Sequence, residues 1–309
     1  MKTKNQKKDT MQIYYGITDN SIEVTEICFS KLVTNNVINI PRGDVNRARF
    51  FSDPQPGILK QVIILQNGIF TEYDAFTLIK IDLMNNTVTT LHDNDVNEKL
   101  SKIHSSLKFR HGSLHDEIPE QKMVVRYLTG NEKVLEIGGN VGRNSLVIAS
   151  ILQDSANLVT LECDVNIANQ LTENRDLNNF KFHVECAALS NRKLIQKNWY
   201  TIPSDTLQEG YNWVNTITYD DFKTKYNIEF DTLVLDCEGA FYYILMDMPD
   251  ILNHISIIIM ENDYNDIAHK NYIDDILKKN NFSNVFAEGG GWGPCQNNFF
   301  EVWTKNYGI

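Results

Sequence analysis

The strongest chemical signal in this chain is an acid beside a cluster of glycines. Glu136 ends a short apolar run and is followed by Gly138, Gly139 and Gly142, after which the pattern from residue 144 is helical. Glycine lets a backbone approach a ligand closely, and the free amides at a helix start face whatever lies above the turn. The order strand, tight turn, helix therefore predicts a site for a nucleoside-containing cofactor.

A second acid follows the next apolar run. Glu162 lies 24 residues after Gly138, which is the spacing at which a carboxylate accepts hydrogen bonds from ribose hydroxyls. We predict this role for Glu162. A glycine turn with such an acid is also compatible with a nicotinamide cofactor.

Further carboxylates follow two later apolar runs. Asp236 and Glu238 come after one run, and Glu261 comes after the next. Ligands of parallel sheets bind beyond the carboxyl ends of the strands, so these groups should converge on the glycine turn. Asp236 is the predicted general base or acceptor-positioning group, with Glu238 and Glu261 as the alternatives. Asp236 and Glu238 could also hold Mg²⁺ or Ca²⁺, although no ligand spacing indicates a metal.

The elements that position these residues differ along the chain. Residues 11–92 alternate polar and apolar positions and predict a small all-β domain. Residues 93–118 predict a linker, and residues 1–10 a disordered basic tail. From residue 119 to 309, strands alternate with helices. This order is typical of an α/β fold with a doubly wound, mostly parallel, Rossmann-like sheet.

Composition excludes several classes of protein. The chain has 309 residues and a formal net charge of −11, which disfavours binding to nucleic acid. No apolar run is long enough to cross a bilayer. The five cysteines are odd in number and form no Cys-x-x-Cys pair, so a disulfide framework or zinc site is not indicated. We expect a cytoplasmic protein with reduced thiols and no membrane partner.

Several motifs in one order carry a family resemblance. They are the segments 136–142 and 161–164, the short run 187–190, the segment 218–222 and the segment 236–240. Together they resemble the FkbM-type family of S-adenosylmethionine-dependent methyltransferases over about residues 119–305.

The resemblance implies a fold, a cofactor and a reaction. The fold is a Rossmann-like methyltransferase domain, and the reaction is O-methyl transfer to a hydroxyl of a sugar, glycan or other small molecule. The residues that the resemblance assigns to S-adenosylmethionine are Glu136, Gly138, Gly139, Asn140, Gly142, Glu162 and Ala187.

Two departures from the family pattern bear on the acceptor. Val234 stands where the family usually has lysine, and Phe241 stands where it usually has glutamate. One alternative is therefore a non-catalytic binding or scaffold protein, in which the N-terminal β domain binds carbohydrate or makes a homo-oligomer. Another is an NAD(P)-dependent oxidoreductase using Tyr219 and Lys223. That pair precedes the fourth predicted strand, which is the wrong place for it.

Overall fold

The computed structural model describes residues 11–34, 36–198 and 200–306. The chain divides into two compact units, Met1–Asp93 with Asn306–Ile309, and Asn94–Lys305. The predicted basic tail, residues 1–10, lies outside the described residues.

The first unit contains two antiparallel sheets of four strands each, ordered β2-β1-β5-β6 and β3-β4-β7-β8. Its elements are β1 (Gln12–Ile17), β2 (Asn20–Glu23), α1 (Thr25–Lys31), β3 (Val33–Thr34), β4 (Val37–Ile40), α2 (Asp44–Phe51), β5 (Gln61–Gln66), β6 (Ile69–Tyr73), β7 (Thr77–Asp82) and β8 (Thr87–His92). Alternate strand residues such as Ile38 and Ile40 are buried in the core of this unit, which is the period expected of half-buried strands.

The prediction of an all-β domain is wrong, because this unit includes α1 and α2. Pro41 precedes α2, and Pro54 and Pro56 follow its end, so the prolines border this helix and do not interrupt it. The buried guanidinium of Arg47 donates to the carbonyls of Pro41 at 2.9 Å and of Thr77 at 2.7 Å. These bonds join α2 to β7.

The stretch predicted as a linker contains the helix α3 (Asp93–Ser106). Only Val96 and Leu100 are buried in it. An i, i+4 pair is enough for one helix face to pack, but it is too sparse to produce a clear helical period in the sequence.

The second unit contains a seven-stranded sheet ordered β11-β10-β9-β17-β18-β20-β19. Its first elements are α4 (Ile118–Tyr127), β9 (Val134–Ile137), α5 (Arg143–Ile151), β10 (Leu158–Leu161), α6 (Val165–Leu177), β11 (His183–Glu185), β12 (Ala188–Leu189), β13 (Leu194–Lys197), β14 (Tyr200–Pro203), β15 (Asn212–Val214) and β16 (Thr216–Ile217). The rest are α7 (Tyr219–Tyr226), β17 (Thr232–Leu235), α8 (Ala240–Asp247), β18 (Ile257–Glu261), α9 (Ile267–Lys279), β19 (Phe282–Glu288) and β20 (Phe300–Lys305).

The sheet is parallel except at β20, which runs antiparallel to both β18 and β19. The predicted α/β class with a mostly parallel, Rossmann-like sheet is therefore present. The chain order reverses at β9, which pairs with β10 on one side and β17 on the other. Such a switch point opens a crevice at the carboxyl ends of the two strands.

The two faces of β9 and β17 differ in chemistry. Leu135, Ile137, Leu233 and Leu235 face an apolar core. The alternate residues of both strands point the other way, and Glu136 there lies in register between Thr160 and Val234. A buried carboxylate thus sits within the sheet directly before the glycine turn.

A small antiparallel sheet, β14-β13-β15, is inserted in the chain between β12 and β16. The sequence pattern did not predict these three strands, because they lack the mainly apolar runs that mark the equally short β9, β10 and β17. Leu194 and Ile195 of β13 are buried, whereas Tyr200 of β14 and Trp213 of β15 are exposed.

Candidate functional site

The site lies at the switch point, where the turn after β9 meets the end of β17. The Asp236 amide donates to the Ile137 carbonyl at 3.1 Å. Gly138 has φ of +92°, and a Cβ built there would lie 1.6 Å from the Asp236 carbonyl oxygen. Only glycine allows the two strand ends to come this close.

The amides of the glycine turn are used inside the protein. Gly138 and Gly139 both donate to the Leu161 carbonyl, at 3.0 and 2.9 Å. A Cβ on Gly139 would lie 2.3 Å from the Thr160 hydroxyl. The first two amides of the turn therefore attach it to β10 and are not free for a ligand. The absence of side chains at these glycines leaves space above the turn.

Glu162 holds the same turn from the end of β10. Its Oε2 accepts from the Asn140 amide at 2.9 Å, and its Oε1 accepts from the Asp164 amide at 2.8 Å. The side chain also lines the crevice. Burial raises the pKa of Glu162, and the two amides oppose that shift. Each oxygen of a carboxylate can accept more than one bond, so Glu162 has capacity left for a ligand.

The crevice above the turn has a volume of about 170 Å³. Its walls mix apolar side chains with a few polar groups, as small-molecule sites do. Ala187 and Leu189 form one wall, Tyr243 and Ile244 of α8 form another, and Gln196 comes from the inserted sheet. Asp236 and Glu238 also line it.

A group of carboxylates lies where the crevice meets the ends of β17 and β18. One oxygen each of Asp236, Glu261 and Asp263 lies within 4.8 Å of the others. Burial is the main cause that raises the pKa of Asp236 and of Glu261, and their mutual repulsion contributes to the rise for Glu261. Glu238 is not part of this group, and its own pKa is raised by burial.

Asp263 is nearly buried, at 4% exposure. Its Oδ1 accepts from the Gly239 amide at 2.8 Å, which joins the loop after β18 to the start of α8. Burial raises the pKa of Asp263 to about 7, with a further contribution from Glu238.

More acids line a small cavity on the other side of the turn. The cavity is bounded by Glu117, Glu120, Glu136 and Asp236, with Val234 as an apolar wall. Burial raises the pKa of Glu136 to about 7, although the Ser145 hydroxyl donates to it.

Arg143 pairs with Glu117, one of the acids that line this cavity. Its Nη1 lies 2.5 Å from Glu117 Oε1, and its Nε lies 3.4 Å from Asp116 Oδ2, so Arg143 is already engaged. Burial still raises the pKa of Glu117, and Arg143 opposes that rise.

The structure distributes the predicted cofactor residues over two cavities. Those that line the crevice are Gly138, Asn140, Glu162 and Ala187. Glu136 and Gly139 line the smaller cavity. Gly142 lines neither and stands at the start of α5, with φ of +92°.

The predicted catalytic acids are also separated. Asp236 and Glu238 line the crevice, and Glu261 lies beside Asp236. The acids that lie close enough together to hold one ion are Asp236, Glu261 and Asp263. Glu238, which was predicted to share a metal with Asp236, is not among them.

The sequence pattern did not identify Glu117 and Glu120 as site residues, and it placed Asp263 at the crevice without giving it a role. Asp263 follows the same strand as Glu261 and could have been chosen on that signal. Glu117 and Glu120 come from the start of α4, and no spacing in the chain relates that helix to the ends of β17 and β18.

The residues of the oxidoreductase alternative lie away from the crevice. Tyr219 and Lys223 lie on α7, and neither is among the crevice-lining residues. Lys223 instead pairs with Asp220 at 2.9 Å and Asp250 at 3.3 Å. In the part of the chain that the structure describes, no helix combines the length and the apolar character needed to cross a membrane.

No protein-family model matches the sequence, and no curated protein matches it. Solved structures do match. A putative O-methyltransferase from Klebsiella pneumoniae is 15% identical with a TM-score of 0.40, over 70% of this chain and 92% of that one. An O-methyltransferase from Bacillus cereus in complex with SAH is 18% identical with a TM-score of 0.40, over 70% and 92%. A ribosomal protein L11 methylase from Lactobacillus delbrueckii is 13% identical with a TM-score of 0.40, over 62% and 80%.

Proposed function

We propose that this protein is an S-adenosylmethionine-dependent O-methyltransferase. Its acceptor in this proposal is a hydroxyl of a sugar, glycan or other small molecule, as the FkbM-type resemblance implies. The observation that supports it best is that Glu162 and Asp236 line one crevice at the switch point of the sheet. A nucleoside-binding acid and a candidate base thus face the same space.

The residues present fit this cofactor. Glu162 has acceptor capacity toward the crevice for ribose hydroxyls, and the apolar walls from Leu189 and Ile244 suit a planar base. S-adenosylmethionine carries a sulfonium whose methyl group is transferred by displacement. The acidic side chains of Asp236 and Glu238 line the crevice in which such a cation would lie.

Asp236 is the residue that would accept the acceptor's proton. In the transfer, the acceptor oxygen bonds to the methyl carbon as the sulfur–carbon bond breaks, and the hydroxyl proton moves to the Asp236 carboxylate. Burial raises the pKa of Asp236, so its ionised carboxylate is a stronger base than an exposed one. Glu238 and Glu261 are the alternative bases.

The first experiment separates the cofactor classes. Saturating S-adenosylhomocysteine should stabilise the protein by about 2.7 kcal/mol at 100 times its Kd, and NADH should leave the thermal midpoint unchanged. Stabilisation by NADH alone would contradict the proposal. A failure to bind either compound would favour the non-catalytic alternative.

The second experiment identifies the acceptor. The protein is incubated with methyl-labelled S-adenosylmethionine and a panel of sugars, nucleotide sugars and extracted glycans, with Asp236→Asn as the inactive reference. We expect label in one class of hydroxyl compound with the unchanged protein only. Equal labelling by Asp236→Asn would remove Asp236 from the mechanism.

A further inference from the structure

Three carboxylates at the ends of β17 and β18 form a group that the proposed reaction only partly uses. Asp236 comes from the end of β17, Glu261 ends β18, and Asp263 follows it by two residues. We propose that these three residues bind one divalent cation of the Mg²⁺, Mn²⁺ or Ca²⁺ class beside the crevice.

The spacing of the three oxygens suits such an ion. Oxygens on opposite sides of one ion stand about 4.1 Å apart around Mg²⁺ and about 4.6–5.2 Å apart around Ca²⁺. The separations of the Asp236, Glu261 and Asp263 oxygens all fall within 4.8 Å. Carboxylate oxygens are also the ligands that these hard cations prefer.

No basic side chain among the described residues is paired with this group. Within the described ranges, none of the three carboxylates forms an ion pair with lysine, arginine or histidine. The nearby Arg143 is already paired with Glu117 and Asp116. Burying carboxylates without a cation is costly, so a bound ion would remove a large penalty.

A fourth carboxyl group, on a different element, lies beside the same three residues. Glu120, on α4, is 7% exposed. Its Oε2 has no hydrogen-bond partner among the residues that the structure describes. Glu120 interacts directly with Glu261 and lines the small cavity together with Asp236. A buried carboxyl oxygen without a hydrogen-bond partner is expected to face an ion or an ordered water.

The small cavity beside this group is about large enough for one water molecule. Its volume is about 10 Å³, and about 10–15 Å³ is the space that one water needs. An ion held by Asp236, Glu261 and Asp263 would have room for a bound water on the Glu120 side.

The site has a consequence for catalysis, and this part rests on the proposed function. Asp236 lines both the crevice and the small cavity, so the ion would lie at the boundary of the crevice. An acceptor hydroxyl bound to a divalent cation loses its proton more readily. Methyl transfer should then require a divalent cation, while binding of S-adenosylhomocysteine should not.

The test uses the full chain after treatment with EDTA. MgCl₂, MnCl₂ and CaCl₂ are titrated by calorimetry, and Mn²⁺ is followed by electron paramagnetic resonance. We expect one saturable site per chain for at least one of these ions. In Asp263→Asn and Glu261→Gln the affinity should fall by at least about tenfold, because fewer ligand charges weaken such sites.

The matched control is Asp275→Asn, which removes an exposed acid on α9 and should leave the affinity unchanged. Asp263→Asn keeps an oxygen for the Gly239 amide, so we expect it to fold and to be at least as stable as the unchanged protein in EDTA. A thermal midpoint that rises with Mn²⁺ in the control but not in Asp263→Asn supports the site.

Two results would overturn the proposal. One is no saturable binding of any of the three ions to the EDTA-treated protein. The other is equal binding by Asp263→Asn, Glu261→Gln and the control. The proposed function is tested separately in EDTA: retained binding of S-adenosylhomocysteine without ion binding refutes the ion alone, and loss of that binding refutes the methyltransferase.

Discussion

Replacing Glu162 with glutamine tests the acid that holds the turn and faces the crevice. The carboxylate accepts from two backbone amides, those of Asn140 and Asp164. Glutamine keeps one acceptor oxygen and presents an NH₂ group at the other position. One of the two amides then faces a donor.

The cost can be worked from those contacts. A hydrogen bond to a charged group contributes about 1.5–3 kcal/mol, so Glu162→Gln should lower the free energy of unfolding by about that amount. If the carboxylate also accepts a bond from a ribose hydroxyl, the same range applies to binding. At about 1.4 kcal/mol per factor of ten, the Kd for S-adenosylhomocysteine should rise by roughly 10–150-fold.

The assay is calorimetric titration of S-adenosylhomocysteine, with urea unfolding as the measure of stability. The matched control is Asp164→Asn, two residues along the chain. The Asp164 side chain accepts from the Asn166 and Ile167 amides at the start of α6, and asparagine is an equally good N-cap residue. The control should therefore bind the compound within about threefold of the unchanged protein.

Wild-type affinity in a folded Glu162→Gln variant would refute the ribose role. An equal loss in Asp164→Asn would show that the effect comes from a disturbed loop. Loss in Glu162→Gln alone is the result that the structure predicts.

Three further predictions concern the same region. Gly138→Ala should cost more than about 4 kcal/mol in unfolding, because its Cβ meets backbone at 1.6 Å, whereas Gly57→Ala, with open space around it, should cost only about 1 kcal/mol. Asp236→Asn should lower the rate of methyl transfer by about 10²–10⁴-fold and change S-adenosylhomocysteine affinity only a few-fold. Glu136, with its pKa raised from 4.5 to about 7, keeps a proton in the folded state that the unfolded chain releases. Stability should thus fall as pH rises through that interval, and Glu136→Gln should reduce the fall measured by urea unfolding at pH 5 and 7.5.

The sequence predicted the central motif of the fold because its signals are local. The glycines of segment 136–142 are needed where two strand ends touch. A glycine in such a turn indicates a close backbone contact, so this part of the fold could be predicted from residue type. The same holds for Glu162, whose distance along the chain follows from one helix and one strand.

The remainder of the site depends on distances in space that leave no local signal. Glu117 and Glu120 lie at the start of α4, which is distant in the chain from β17 and β18. The inserted strands β13–β15 lack the mainly apolar runs that make equally short strands recognisable. The helices α1 and α2 of the N-terminal unit have only seven and eight residues, which is too short for a clear helical period between the strands.

Position 234 offers a way to ask whether the buried acids need a cation at all. Val234 is 3% exposed, lies in register beside Glu136, and lines the small cavity with Glu117, Glu120 and Asp236. The FkbM-type pattern has lysine at this position, so the apolar residue here leaves the cavity with acids and no ammonium of its own.

Val234→Lys would place that ammonium among the carboxylates, and Val234→Met is the uncharged control of similar length. Both variants overfill a small space, which costs about 1–3 kcal/mol. At pH 7.5, above the Glu136 pKa of about 7, the lysine variant should be the more stable of the two, because its charge lies beside the ionised Glu136 carboxylate. At pH 4, where Glu136 is protonated, the difference should disappear or reverse. If the methionine variant is the more stable at pH 7.5, the carboxylates do not need a cation, and the argument that these buried acids favour a bound ion is wrong.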